Sequence, residues 1–179
     1  RGRRVGAEID LDDGGAAPGP LSLGYGRTRP AEPMRLTLRT NLAMRTLMYC
    51  AVHRDCLVRK HDIADACNAS ENHLGVVVNQ LAQAGYVQTS RGRNGGVRLA
   101  CDPATTSVGE VVRLFESGTP FAECFPGAEN TCPLTCACRL RRAFERGLAA
   151  FYAELDAVSL ADLVQGNDAL ADLLSLTPA

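Results

Sequence analysis

From Asn41 onward apolar residues recur with a helical period, broken once by a short stretch that alternates like a hairpin. Asn41–Val52 carries Leu42, Leu47 and Met48 among its apolar positions, with Thr40 ahead of it as a candidate N-cap. His61–Cys67 reads as a short second helix with Ile63, Ala64 and Cys67 on one face. The polar turn Asn68-Ala69-Ser70 follows, and Ser70 is placed to accept from the first unpaired amides of the next helix. That helix, Glu71–Ala84, carries the apolar stripe Leu74, Val77, Val78 and Leu81 and stops at Gly85. Tyr86–Arg91 and Val97–Ala100 predict two strands around Asn94-Gly95-Gly96, and Asn-Gly is the strongest short-range hairpin signal. Helix, two helices across a tight turn, then a β-hairpin is the order of a winged helix-turn-helix, whose recognition helix enters the major groove.

Beyond the wing, Ser107 starts a helix over Val108–Glu116. A long helix then runs from Leu140 to about Val158, and Leu140, Phe144, Leu148, Phe151, Leu155 and Val158 make a heptad-like seam. Such a seam packs on a partner helix or on the chain's own domain. A homodimer is the economical reading, because paired half-sites call for two-fold symmetry. Ser159-Leu160-Ala161-Asp162-Leu163-Val164 and the last residues predict one short terminal helix. The expected fold is mainly α with a small β-hairpin wing, a winged helix-turn-helix plus a long dimerisation helix. The boundaries read as a disordered tail at 1–33, the DNA-binding domain at 34–105, a linking helix and cysteine loop at 106–139, and dimerisation and terminal helices at 140–179.

Composition narrows the class. A chain of 179 residues is one domain, or one domain plus a tail, and 46% hydrophobic residues suffice for a core. No apolar run approaches a membrane span, so no membrane partner is expected. Trp is absent and aromatics make up 5%, against a base-stacking single-strand binder. The N-terminal segment has no signal-peptide pattern, which predicts a cytoplasmic location with reduced thiols.

The net charge of −1 hides a division. Residues 34–100 hold nine basic side chains against four acids, and 101–179 hold five Arg against eleven acids. A basic half beside an acidic half is a hint of nucleic-acid binding by the first. Arg39, Arg45, Lys60, Arg91 and Arg93 are candidate phosphate anchors. The recognition helix has no Lys or Arg, and its polar residues are Glu71, Asn72, His73, Asn79 and Gln80. Glu can accept from cytosine and Asn can pair with adenine. His73 is either a base contact or a solvated helix residue. The candidate interface to double-stranded operator DNA is therefore Arg39, Lys60, Ser70, Glu71, Asn72, His73, Asn79, Arg91, Arg93 and Asn94.

The eight cysteines fall into two groups. Cys50, Cys56, Cys67 and Cys101 are scattered over the DNA-binding part, with Cys50 and Cys67 on apolar helical faces as small core residues. Cys124, Cys132, Cys136 and Cys138 crowd fifteen residues that also contain Pro126, Gly127 and Pro133. Thiols on one loop in a reducing compartment point to metal or redox chemistry. Thiolates suit iron–sulfur clusters, zinc or copper(I), but the paired C-x-x-C of a zinc ribbon is missing. The three His all lie in the DNA-binding part, away from these thiols, and no catalytic constellation is visible, so an enzyme is not expected.

Met34-Arg-Leu-Thr, Leu42-Ala-Met-Arg, Ser70-Glu-Asn-His-Leu, Asn79-Gln-Leu-Ala-Gln-Ala-Gly-Tyr-Val and Arg91-Gly-Arg-Asn-Gly-Gly-Val-Arg-Leu resemble the winged-helix iron–sulfur regulators typified by IscR and NsrR. Glu123-Cys124-Phe125, Asn130-Thr131-Cys132-Pro133, Ala137-Cys138-Arg139-Leu140 and Leu160-Ala-Asp-Leu-Val resemble the NsrR branch most. The likeness spans Met34 to about Leu174. It implies a homodimeric repressor whose iron–sulfur cluster, 4Fe-4S in preference to 2Fe-2S, senses nitric oxide and releases operator DNA on nitrosylation. Cys124, Cys132 and Cys138 match the family's three cluster ligands. Cys136 is extra. Asn41 stands where an acidic residue is common and in some members supplies a fourth ligand, so Asn41, Cys136, water or another carboxylate is the candidate here. Gly75 stands where relatives often carry Lys. A regulator of iron or redox status of the IscR type is the first alternative, although Arg139-Leu-Arg-Arg replaces the His expected after the third Cys. A cluster-free thiol or zinc regulator is the second.

Overall fold

The computed structural model describes residues 36–93, 95–118 and 120–175. The segment expected to be disordered, and Asn94, expected in the hairpin turn, lie outside the described residues. Seven helices and one hairpin are described: α1 Leu38–Val52, α2 Lys60–Ala66, α3 Glu71–Gln83, β1 Val87–Ser90, β2 Gly96–Leu99, α4 Val108–Glu116, α5 Arg139–Asp156, α6 Leu160–Val164 and α7 Asp168–Ser175.

α1 begins one turn earlier than its apolar pattern suggests. Thr37, not Thr40, is the N-cap, and its hydroxyl accepts from the Thr40 amide at 3.2 Å. The expected cap, Thr40, is instead fully buried and its hydroxyl donates to the Glu116 carboxylate. The same carboxylate accepts from the Thr37 amide at 2.8 Å, so the end of α4 closes the start of α1. The unpaired amides of a helix N-terminus need such acceptors.

α2 and α3 meet across Asn68, which takes the left-handed φ of 49° that Asn tolerates better than most residues. Ser70 caps α3, accepting from the His73 amide at 3.3 Å. Leu74, Val77, Val78 and Leu81 turn inward against Leu42, Leu47 and Cys50 of α1 and Ile63 and Ala64 of α2 in one core. Gly85 ends the helix with φ +83°, a conformation that costs glycine nothing.

The wing pairs Val87 with Leu99, Gln88 with Arg98, Thr89 with Val97 and Ser90 with Gly96. Val58 adds a short third rung, exchanging hydrogen bonds with Val97 at 2.9 and 2.7 Å. A Cβ at Gly96 would strike the Val58 carbonyl, so glycine lets the connector approach the wing.

α4 joins the core through Val111 and Phe115. After α5 the chain forms α6 and α7 where one terminal helix was expected. Gln165 leaves helical backbone at ψ 130° and Gly166 takes φ +67°, which breaks the run. Ser159 and Asp162 close α6 with a reciprocal capping box. No helix among the described residues is long and apolar enough to cross a membrane.

Candidate functional site

The residues expected to meet DNA lie on α3, the start of α2 and the wing, with Arg39 on α1. Glu71, Asn72, His73 and Asn79 are exposed on α3, as is Ser70 at its cap. Arg39 on α1 and Arg91 and Arg93 at the wing tip are also exposed. Arg45 differs from the other expected anchors, because its guanidinium donates to the Cys67 carbonyl at 3.2 Å and ties α1 to the end of α2. Lys60 lies 3.5 Å from Glu71, whose other oxygen faces His61 Nδ1 at 3.3 Å. His61 Nε2 in turn stands 3.2 Å from Asp65.

Among the described residues, the cysteine segment between α4 and α5 has no helix or strand. Local hydrogen bonds shape it. Asn130 Oδ1 accepts from the Cys132 amide at 3.0 Å, and the Thr135 hydroxyl donates to the Cys132 carbonyl at 2.8 Å. Gly127 turns the chain at φ +89°. Phe121 packs edge-on against Phe125 at 5.5 Å and against Phe144 of α5 at 5.6 Å, anchoring the segment to the long helix. Sequence reasoning missed this aromatic trio. Its signal was two Phe flanking the first loop cysteine in an aromatic-poor chain.

Cys124, Cys132 and Cys138 are half-buried free thiols, whereas Cys136 is exposed. Cys138 is the N-cap of α5 and makes no side-chain capping bond. A helix N-terminus favours negative charge of the kind a bound thiolate carries. Among the described residues no three His, Cys, Asp or Glu side chains are gathered as metal ligands. The donor type fits a soft metal group: thiols without disulfides, on an open segment between two helices. Asn41 is exposed on α1, with its amide nitrogen donating to the Thr37 carbonyl at 3.3 Å.

The scattered thiols behave differently. Cys50 and Cys67 are buried in the core. Burial, reinforced by nearby Cys67 and Cys101, pushes the Cys50 thiol up to about 12. Burial also raises Cys67, partly offset by the Arg45 guanidinium. Such thiols stay protonated and inert.

α5 buries none of its eighteen residues. It is tied to α4 at its end, where Arg113 grips Asp156 with two hydrogen bonds of 2.6 and 2.5 Å and lies 4.4 Å over the Tyr152 ring. Its apolar seam is open, with Leu140 58%, Phe144 37% and Phe151 42% exposed.

Comparison with known proteins places these features. Residues 36–166 match the family model for Rrf2, described as an iron-dependent transcriptional regulator. The HTH-type transcriptional regulator NsrR of Geobacillus kaustophilus is 44% identical over 142 residues, 79% of this chain and 97% of that one. The regulator of the same name from Bacillus subtilis is 38% identical over 144 residues, covering 80% and 99%. Among solved structures, IscR of T. potens superposes with a TM-score of 0.58 at 23% identity, covering 73% of this chain and 86% of that one. CymR, the global cysteine regulator of B. subtilis, gives 0.58 at 24% identity, covering 73% and 95%. These last two speak for the winged-helix fold alone. Matched over most of its length by the family model and by the NsrR relatives, the chain belongs to the Rrf2 family as an NsrR-type, DNA-binding transcriptional regulator.

Proposed function

We propose that the protein is a homodimeric repressor that holds an iron–sulfur cluster, of the 4Fe-4S type, and leaves operator DNA when nitric oxide reaches it. The observation that carries this reading is the set of three half-buried free thiols on the segment between α4 and α5, in a chain whose relatives carry the NsrR name. A bound cluster would supply the centre with which nitric oxide reacts.

Cys124, Cys132 and Cys138 are the thiolates that would hold it, and Asn41 or Cys136 is the candidate for the remaining position. An amide oxygen is a weaker iron ligand than a carboxylate, so ligation by Asn41 would be easily broken. Asn41 stands on α1, whose start is closed by Glu116, the last residue of α4. A change in the segment that follows α4 thus has a short route to the DNA-binding half. The α5 seam supplies the dimer contact, and half-site spacing converts a small shift between protomers into lost affinity. Arg39, Lys60, Arg91 and Arg93 would meet phosphates, and Asn72, His73 and Asn79 base edges.

The test is the visible absorption spectrum and operator affinity of anaerobically purified protein before and after nitric oxide. A coloured, iron- and sulfide-containing dimer that bleaches and releases DNA is expected. Colourless protein without iron, or affinity indifferent to nitric oxide, overturns the reading. The first outcome would favour regulation by the free thiols.

A further inference from the structure

Glu71 is the first residue of the recognition helix, where a helix-turn-helix reaches base edges. Both of its oxygens are engaged within the protein. Oε2 lies 3.5 Å from Lys60 Nζ and Oε1 3.3 Å from His61 Nδ1, and both partners belong to the first turn of α2. His61 is itself held from the other side by Asp65 at 3.2 Å. Lys60 reaches over the face of α3, since a Cβ on Gly75 would stand 4.0 Å from its Nζ. Gly75 lies one turn beyond Glu71 on that face. Lys60 is thus the cation over a stretch of recognition helix that has none of its own.

The first helix of a helix-turn-helix crosses the DNA backbone, so the start of α2 faces phosphates. A phosphate and the Glu71 carboxylate therefore compete for Lys60 and His61. If the phosphate wins, an anion is left in the major groove without its partners. An uncompensated carboxylate there costs binding. Only a base that presents a hydrogen-bond donor without an adjacent acceptor restores it. Cytosine does so with its N4 amino group, whereas the adenine amino group sits beside the acceptor N7.

We infer that Glu71 determines specificity in this DNA interface: Lys60 and His61 hold it in the free protein, phosphate displaces it, and cytosine alone accommodates it afterwards. The inference rests on DNA binding and is independent of nitric-oxide sensing.

The test compares wild type, Glu71→Gln and Glu71→Ala as full chains in one anaerobic preparation. Each is used to select sites from a randomised duplex pool, and its affinity for poly(dA-dT), which has no cytosine, is titrated against KCl. Wild-type sites should carry cytosine at one fixed position per half-site. Glu71→Gln should replace it by adenine, the base that Gln pairs with, and Glu71→Ala should lose the preference. Both variants should bind poly(dA-dT) about fivefold tighter, the scale of one exposed ion pair. On this cytosine-free duplex wild-type Glu71 keeps Lys60, so the variants' log affinity against log salt should steepen by about 0.9 for the phosphate that Lys60 gains. The same base profile and the same salt slope in all three proteins would overturn the inference. A defect in cofactor loading would instead shift all three together.

Discussion

The two halves of the molecule are filled differently. α1, α2, α3 and the hairpin close over a shared core in which Leu47, Ile63, Leu74 and Leu81 are fully buried. α5 is longer than any of these elements and buries nothing. Its apolar residues are not fewer, since Leu140, Phe144, Leu148, Phe151 and Leu155 recur along one face. Leu148 and Leu155 are half-buried, but Leu140, Phe144 and Phe151 each stay more than a third exposed. The winged-helix half is closed within one chain, and the seam of α5 is not. The half-buried thiols Cys124, Cys132 and Cys138 lie on the segment that leads into this helix, which suits a region completed by a metal group and a second copy.

The largest expected effect lies in the closed half. Leu47→Ala removes a fully buried side chain facing α3 and should cost about 2–5 kcal/mol. Phe144→Ala removes a side chain of similar apolar weight that is 37% exposed. It should loosen the proposed dimer and release the Phe121 contact, at a much smaller cost to the fold than Leu47→Ala. Denaturant unfolding and sedimentation on the two variants would break the comparison if Phe144→Ala proved as destabilising to the protomer as Leu47→Ala.

The second effect concerns a core cysteine and shows with pH. Cys50 has its thiol raised from an ordinary 9.0 to about 12 by burial. A folded value above the unfolded one means that the folded protein keeps the proton longer. The contribution is complete below pH 9 and is lost as pH rises from there through about 12. The loss approaches a few kcal/mol, on the scale of roughly 1.4 kcal/mol per pH unit. Unfolding free energy measured across that window should fall less steeply in Cys50→Ala than in wild type. Equal slopes would mean that Cys50 is not buried in the folded state.

The winged-helix half was legible because each of its signals is local. Ser70 caps α3 as its position implies, Leu74, Val77, Val78 and Leu81 are buried as their spacing implies, and Val87 pairs with Leu99 around the glycine-rich turn. What escaped depends on partners far apart in sequence. Thr40 looks like an N-cap until Glu116, seventy-six residues away, takes its hydroxyl and leaves capping to Thr37. Arg45 looks like a free cation until the Cys67 carbonyl claims it. The break between α6 and α7 rests on Gly166, which the apolar pattern of that stretch overrode. For the cysteine segment, spacing identified the thiols but not their arrangement, because the Phe121, Phe125 and Phe144 contacts that anchor it cross from loop to helix.

An intermediate effect is expected where the halves join. A Cβ on Gly109 would fall on the Asp156 carboxylate, which Arg113 holds with two hydrogen bonds. Gly109→Ala must push α5 away from α4 or break the pair, at about 1–3 kcal/mol for an overpacked contact. Arg113→Lys keeps the charge but loses the two-pronged grip, and should cost less. If Gly109→Ala were neutral in thermal unfolding, α5 would not be seated on α4 through Asp156.

The smallest effect tests whether α5 is supported by its own surface. Arg141 donates to Glu145 at 2.9 Å, four residues on, and this is an exposed pair. Its order is the unfavourable one, because a cation N-terminal to its anion opposes the helix dipole. Glu145→Ala should therefore cost no more than about 0.5 kcal/mol, and the difference should shrink in high salt. Circular dichroism of the variant at low and high salt measures it. A loss above 1 kcal/mol would show that α5 is held by surface charge along its length rather than by whatever covers its apolar seam.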